Sequence, residues 1–233
     1  KPRRVFVNSM SDLFHEKVDP NAVADIFAVM ALAHWHTFQV LTKRPEQMAS
    51  LFRIGLADWT RQAAFQAGTY AKLGERLQLD FTWPLPNVHL GVSVEDQATA
   101  DARIPLLLQT PATVRWVSYE PALAPVDFTP WVELGGNRLR RAAEAMEIRN
   151  RADAREAYRL GVTDPPFFDG SPRLDWIVVG GESGHGARPF DLAWARSTIA
   201  QCRAAGVRAF FKQAGSRPLL DGAPLNLRDR KGG

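Results

Sequence analysis

The sequence predicts a parallel (βα) barrel, complete or partial, because a short apolar strand followed by polar residues and a helix recurs six times. The clearest strand is 176–179, a run of Trp, Ile and two Val that is typical of a strand buried on both faces. The chain has no GxGxxG and no Walker A motif, which disfavours an open nucleotide-binding sheet. We expect residues 1–233, of which 45% are hydrophobic, to form one domain.

The first two βα units lie in the amino-terminal third of the chain. Residues 4–9 form the first predicted strand, and Asp19–Pro20 supply an N-cap and a first-turn proline for the next helix. Residues 37–42 form the second strand, after which Pro45 opens another helix. Residues 55–86 are less regular, and their apolar residues predict a second helical piece.

Four further strands follow in the rest of the sequence. Residues 88–94 and 114–118 are the third and fourth predicted strands, with a helix between them. The strand around Val178 is the fifth, and Asp191 caps the helix that follows it. Residues 208–211 form the sixth strand. The order of strands and helices predicts parallel pairing with right-handed crossovers.

Residues 131–173 interrupt this pattern with an Arg-rich segment. Seven arginines between positions 138 and 159 alternate with acidic residues around a narrow apolar stripe. We interpret the segment as a solvated helical insertion with i,i+4 ion pairs. A phosphate-binding arm is the alternative interpretation.

Composition limits the classes of function. The net charge is +4 and the pI is near 9.5, which permits nucleic-acid or nucleotide binding without requiring it. Cys202 is the single cysteine, so this chain alone builds no disulfide and no iron–sulfur cluster. No apolar run reaches the roughly 20 residues that span a bilayer, so we expect a cytoplasmic protein with no membrane partner. The chain starts at Lys1, so we expect it to be a segment of a longer protein.

The carboxyl ends of the strands carry the candidate site, because active sites of parallel barrels lie at that rim. The polar residues at those ends are Asn8, Ser9, Asp12 and His15, then Thr42, Lys43 and Arg44, then Ser93, Glu95 and Asp96, then Ser118 and Glu120, then Glu182, Ser183 and His185, and finally Lys212 and Gln213. Asp12 and Asp96 are equally consistent with helix caps. We interpret Trp35, Trp116 and Trp176 as core packing and His89 as structural.

Two enzymatic functions compete on these residues alone. Glu120 and Glu182 at strand ends are what glycoside hydrolysis uses, one as acid and the other as nucleophile or base. Lysines at strand ends, such as Lys212, suit Schiff-base chemistry. Lys43–Arg44 at the mouth of a barrel is an anion clamp or a solvated loop charge.

Six strings of the sequence, in order, resemble the phage-associated gp thirty-seven/gp sixty-eight family, a domain of unknown function. The strings are VFVNSMSDLFH (5–15), FQVLTKRP (38–45), LGVSVE (90–95), WVSYEP (116–121), GGESG (180–184) and FKQ (211–213). The resemblance covers nearly the whole chain, with the Arg-rich insertion as its variable part.

That resemblance implies a radical S-adenosylmethionine (SAM)-like enzyme. Members of the family carry, upstream of the first strand seen here, a Cys triad that resembles the cluster loop of radical-SAM enzymes. Three thiolates leave one iron of a [4Fe–4S] cluster open to bind SAM, whose cleavage yields a 5′-deoxyadenosyl radical. This chain lacks those cysteines. The expected cofactors, SAM and a [4Fe–4S] cluster, therefore belong to the full-length protein.

The resemblance also implies roles for residues at the rim. Gly180 and Gly181 would let the backbone approach SAM, and Glu120 or Glu182 would hold its amino group. The remaining assignments are that Ser93 and Asn8 contact ribose hydroxyls, that Lys43, Arg44 and Lys212 neutralise the SAM carboxylate or a substrate phosphate, and that Ser9, Glu95 and Ser183 complete the cofactor-binding set.

A non-enzymatic alternative is a phage accessory module that binds nucleic acid through its basic surface. A substrate that is a nucleotide or nucleic acid would equally fit the basic charge. The sequence chooses neither the substrate nor the oligomeric state.

Overall fold

The computed structural model describes residues 1–70, 81–133 and 173–225. Its elements are, in chain order, β1 (Arg4–Val7), α1 (Pro20–Leu32), β2 (Thr37–Thr42), α2 (Pro45–Ile54), α3 (Leu56–Tyr70), β3 (Val88–Val94), α4 (Gln97–Gln109), β4 (Val114–Tyr119), α5 (Thr129–Val132), β5 (Trp176–Gly180), β6 (Phe190–Asp191), α6 (Leu192–Ala204), β7 (Arg208–Gln213), β8 (Pro218–Leu220) and β9 (Ala223–Pro224). No helix among these residues is both long and apolar enough to cross a membrane.

Six strands pair in parallel in the order β1-β2-β3-β4-β5-β7 and curl into a half-barrel. The predicted partial parallel (βα) barrel is therefore confirmed. In register, Gly91 pairs with Trp116, Trp116 with Trp176, and Trp176 with Arg208. Because side chains alternate between the faces of a strand, these paired residues share one face of the sheet.

The hydrophobic core lies between the helices and the convex face of this sheet. Val40, Leu90, Val92, Val117 and Ile177, each 1% exposed or less, belong to one buried cluster with side chains of α1, α2, α4 and α6. The concave face contributes little to that cluster. The helices therefore pack against the convex face of the sheet and do not cover its concave face.

Helix boundaries agree with the capping residues in the sequence. Asp19 accepts a hydrogen bond from the Asn21 amide at the start of α1, and Pro45 occupies the first turn of α2. Asp191 caps α6 through the Ala193 amide, as predicted. Asp96 caps α4 in a capping box with Thr99.

Several details differ from the sequence predictions. β1 ends at Val7 rather than at position 9, because Asn8 adopts a left-handed φ of 56° that ends the strand. Trp35, predicted in the core, is 53% exposed. A small second sheet of β6, β8 and β9 was not predicted, because its strands are only two or three residues long. The Arg-rich insertion lies outside the described residues, except for its ends.

Candidate functional site

The concave face of the half-barrel is an open groove of about 1320 Å³. It runs the length of the strands, and most of its lining comes from alternate positions of the six strands and from residues at their ends. Its middle is aromatic, with Phe6, Trp116, Trp176 and Phe210. In a closed barrel such positions interdigitate to fill the interior. Here Phe6 and Phe210, on the two edge strands, remain 43% and 57% exposed and leave room for a ligand.

A pair of stacked tryptophans forms the centre of the groove. The Trp116 and Trp176 rings lie 4.7 Å apart at an interplanar angle of 7°, and Phe6 meets Trp116 edge-on at 6.3 Å. Gly91 makes this possible, because a Cβ there would lie 2.6 Å from Trp116 Nε1. Trp116 is buried, as predicted, but it lines the groove rather than the helix-backed core. Position alone does not distinguish these two environments in an apolar strand.

The carboxyl end of the groove holds a carboxylate between two donors. The Lys212 ammonium lies 3.0 Å from Glu120 Oε2, and the Gln213 amide donates to Glu120 Oε1 at 3.1 Å. Glu120 is largely covered, with 17% of its side chain exposed, whereas Lys212 is 52% exposed. Glu120, Lys212 and Ser9 all line the groove. The Lys212 side of this ion pair is therefore accessible to a charged ligand in the groove.

Gly180 and Gly181 lie where β5 meets β7. A Cβ on Gly181 would lie 2.6 Å from the Ala214 carbonyl oxygen and 2.8 Å from Phe190 Cβ. A Cβ on Gly180 would lie 3.3 Å from the Gln213 carbonyl oxygen and 3.4 Å from Glu120 Oε1. The close approach that these glycines permit in the structure is thus between segments of the chain itself, beside Glu120.

A second charged cluster joins the ends of β2 and β3. Glu95 binds the Lys43 ammonium at 2.8 Å and the Arg103 guanidinium at 2.9 Å, and accepts from the Ser93 hydroxyl at 3.2 Å. Burial acts to raise the pKa of Glu95, but the hydrogen bond from Lys43 and the charges of Arg103 and Lys43 outweigh it and lower that pKa. Glu95 is therefore an ionised anchor for two cations rather than an acid.

Asp12 forms a neighbouring cluster at the ends of β1 and β2. Its carboxylate accepts from the buried Thr42 hydroxyl at 2.8 Å and from the Lys43 amide at 2.9 Å. Arg44 reaches Asp12 at 3.5 Å and Glu16 at 3.3 Å. Asp12 thus ties β1 to β2, and α1 is capped instead by Asp19.

Glu182 lies in a third cluster, on the exposed segment after β5. Arg188 holds it in a two-point contact, with Nε 2.8 Å from Oε2 and Nη2 3.0 Å from Oε1, and the Arg188 amide also donates to Oε2. These hydrogen bonds lower the pKa of Glu182 to about 2. Ser183 and His185 beside it are exposed. None of these residues lines the groove.

The amino end of the groove is basic. Among residues 1–70, 81–133 and 173–225, Arg4, Arg173 and Arg208 line it, with Asp175 as the one carboxylate at that end. Burial and the nearby charge of Arg4 lower the pKa of His89, and the opposing effect of Asp175 is smaller than that of burial, so the imidazole is neutral at pH 7. Among the described residues neither Arg4 nor Arg208 forms an ion pair.

Two polar atoms of the groove side chains are buried without a partner in the described part of the chain. They are His89 Nδ1 and Trp116 Nε1. A buried donor or acceptor left unpaired costs about 1–3 kcal/mol, so a partner for either atom would stabilise the groove.

The sequence-predicted site residues therefore fall into separate groups. Ser9, Glu120 and Lys212 line the groove, Lys43, Ser93 and Glu95 meet in the second cluster with Arg44 beside them, and Glu182 and Ser183 lie on the exposed segment. Asn8 ends β1, with its carbonyl accepting from the Ser11 amide. Sequence reasoning missed Phe6, Phe210, Arg4 and Arg208. Alternation puts Arg208 and Phe210 on the same face of β7 as the predicted Lys212, but that this face meets Glu120 and Trp116 follows only from the assembled sheet.

A [4Fe–4S] cluster does not fit the residues of this chain. The sequence has one cysteine, Cys202, which is buried in α6, and burial raises the pKa of its thiol to about 11. Among residues 1–70, 81–133 and 173–225, no three His, Cys, Asp or Glu side chains converge as a metal site.

The chain belongs to a family of proteins of unknown function, DUF5131, whose model matches residues 1–221. Membership of an uncharacterised family agrees with the resemblance seen in the sequence. No curated protein and no solved structure matches the chain.

Proposed function

We propose that this member of an uncharacterised family is the barrel domain of a radical-SAM-like enzyme and binds SAM in the carboxyl half of its groove. The observation that carries the proposal is the Glu120–Lys212 ion pair at the end of an open aromatic groove. The phage association implied by the sequence resemblance belongs to the same proposal.

The amino-acid end of SAM matches this ion pair in charge. SAM carries an ammonium and a carboxylate on one carbon, so a ligand lying across Glu120 and Lys212 forms an ion pair with each. Lys212 is half exposed and can turn toward the ligand carboxylate, while Gln213 keeps Glu120 in place for the ligand ammonium. The ion pair thus holds Glu120 and Lys212 side by side at the end of the groove before a ligand binds.

An aromatic surface for adenine lies next to that pair. Phe210 is two residues from Lys212 on the same face of β7, which separates their Cα atoms by about 6.6 Å along the strand. Its ring is more than half exposed and is free to stack on a base. Binding and orientation of the ligand are what these residues contribute to the reaction.

Cluster chemistry requires cysteines from outside these 233 residues. A [4Fe–4S] cluster held by such cysteines would supply the electron for reductive cleavage of SAM. No step of that cleavage is assigned to the residues described here.

The hydrolase alternative is less well supported. A glycosidase acid needs a raised pKa, whereas Arg188 holds the pKa of Glu182 near 2. Glu120 is held by Lys212 and Gln213, and Glu182 lies outside the groove that Glu120 lines. The two carboxylates therefore lack the shared open site that hydrolysis needs.

Isothermal titration of SAM into the purified protein tests the proposal. We expect binding that weakens about tenfold in Glu120→Gln, because the ligand ammonium loses its charged acceptor. Glu46→Gln, on the exposed first turn of α2, is the matched control and should bind as the wild type does. Absence of SAM binding, or loss in Glu182→Gln but not in Glu120→Gln, would contradict the assignment.

A further inference from the structure

We infer that the amino half of the groove is a second binding subsite, for the nucleotide portion of a substrate that carries a phosphate and a base. This inference rests on the proposed function in one respect, that SAM takes the carboxyl half of the same groove. The subsite would identify the substrate class as a free nucleotide or a nucleotide within a single strand.

The groove is large enough for two ligands. Its volume of about 1320 Å³ exceeds the roughly 300–1,000 Å³ of a pocket for one small molecule. Lys212 lies four positions after Arg208 on β7, which puts their Cα atoms about 13 Å apart along the strand. A ligand held by Lys212 and Glu120 therefore leaves the amino end open.

The amino end of the groove is positively charged, which disfavours a second molecule of the cationic SAM. In the part of the chain that the structure describes, three arginines, Arg4, Arg173 and Arg208, line this end with one carboxylate, Asp175, whose oxygen already accepts the Arg115 amide at 2.7 Å. Arg4 and Arg208 have no ion-pair partner within the described ranges. Guanidinium groups bind phosphate oxygens in a two-point geometry, so this end favours a phosphate over a cation.

Aromatic rings lie near two of these arginines on the groove face of the sheet. Trp176 pairs in register with Arg208 and is only half-buried, and Phe6 lies two residues from Arg4 on the same face of β1. Rings next to cations along a groove are the arrangement with which proteins bind single-stranded nucleic acid, the base stacking while the phosphate meets the charge. An inorganic anion would use only the arginines.

His89 adds a polar group between the two edges. It pairs in register with Gln39, and both side chains line the groove. Its Nδ1 lacks a partner in the part of the chain described above. Because His89 lines the groove, the polar edge of a base is a group that its imidazole would meet there.

Titrations with AMP, adenosine, inorganic phosphate and a ten-residue oligoadenylate test the subsite, each with and without excess SAM. We expect AMP to bind at least tenfold tighter than adenosine or phosphate alone, and SAM not to displace it. Affinity for the oligonucleotide should fall with salt, with a slope of about −0.7 per neutralised phosphate. If the oligonucleotide binds more tightly than AMP, the substrate is a nucleotide within a single strand. If AMP binds more tightly, the substrate is a free nucleotide.

Substitutions assign the phosphate contact. Arg208→Gln and Arg4→Gln should each weaken AMP binding about tenfold and leave adenosine binding unchanged, whereas Arg203→Gln, an exposed arginine of α6 outside the groove, should change neither. Circular dichroism verifies the fold of each variant, and Arg4→Gln, on the opposite edge strand, provides a second test if the Arg208 variant fails to fold.

The inference is overturned if AMP and adenosine bind equally, if Arg203→Gln matches the groove variants, or if SAM displaces AMP completely. Loss of SAM binding alone, with AMP binding still dependent on Arg208, would instead refute the proposed SAM site and retain the subsite.

Discussion

Substitution of Gly91 by Ala tests the packing at the centre of the groove. The new Cβ would lie 2.6 Å from Trp116 Nε1 and 2.7 Å from Cδ2, whereas carbon atoms in contact normally sit about 3.5–4.0 Å apart. The indole must therefore move by about 1 Å. It is 3% exposed and stacks on Trp176, so the displacement spreads to a second ring.

Two opposing effects determine how much Gly91→Ala lowers the free energy of unfolding. Overpacking of a buried site costs about 1–3 kcal/mol, and the alanine gains back about 0.5–1 kcal/mol because glycine is unfavourable in a strand. The expected net decrease in the free energy of unfolding is about 1–2 kcal/mol. Urea denaturation followed by far-UV circular dichroism measures it.

A double-mutant cycle with Trp116→Leu is the control. Once the indole is gone, Gly91→Ala should be neutral or slightly stabilising, so the two changes should couple by about 1–2 kcal/mol. A Gly91→Ala variant as stable as the wild type, or an equal loss in both backgrounds, would refute this account of the groove centre.

Three further predictions concern two of the rim clusters and the helix caps. Glu95→Gln should lower the free energy of unfolding by about 1–2 kcal/mol, less than for a fully buried pair because Lys43 is 58% exposed. The folded pKa of Glu95 lies below 4.5, so its contribution to stability is complete above that pH and is lost as the pH falls through the folded pKa. Urea midpoints should therefore fall more steeply with acidic pH in the wild type than in the variant. Thr42→Val, which removes the buried donor to Asp12, should cost about 1–2 kcal/mol in the same assay, whereas Thr42→Ser should cost less. Asp191→Ala should lower the melting temperature more than Asp19→Ala, because Asp191 accepts from both the Ala193 and Gly222 amides, and equal shifts would contradict this.

The strands were predictable because each apolar run ends at a polar residue. The second and third predicted strands, 37–42 and 88–94, coincide with β2 and β3. The caps at Asp19 and Asp191 were equally local, since the accepting carboxylate lies two residues from its donor. Strand ends and helix caps of this kind can therefore be predicted from local spacing in the sequence, without knowledge of the tertiary fold.

The face of each strand was not predictable from periodicity. β5 is apolar on both sides, so Trp176 and Val178 on the groove look the same in sequence as Ile177 and Val179 in the core. The role of Asp12 depends on Thr42, thirty residues away, and no local pattern shows that contact. Whether the sheet closes or stays open is likewise a property of the assembled strands.

A crystal structure of the protein with S-adenosylhomocysteine, which has the same amino-acid end as SAM, tests the central claim most directly. The account predicts that the ligand ammonium lies against the Glu120 carboxylate, that its carboxylate meets Lys212, and that its adenine stacks on Phe210 inside the groove. A ligand bound instead at the Glu182–Arg188 pair, outside the groove, would contradict the account.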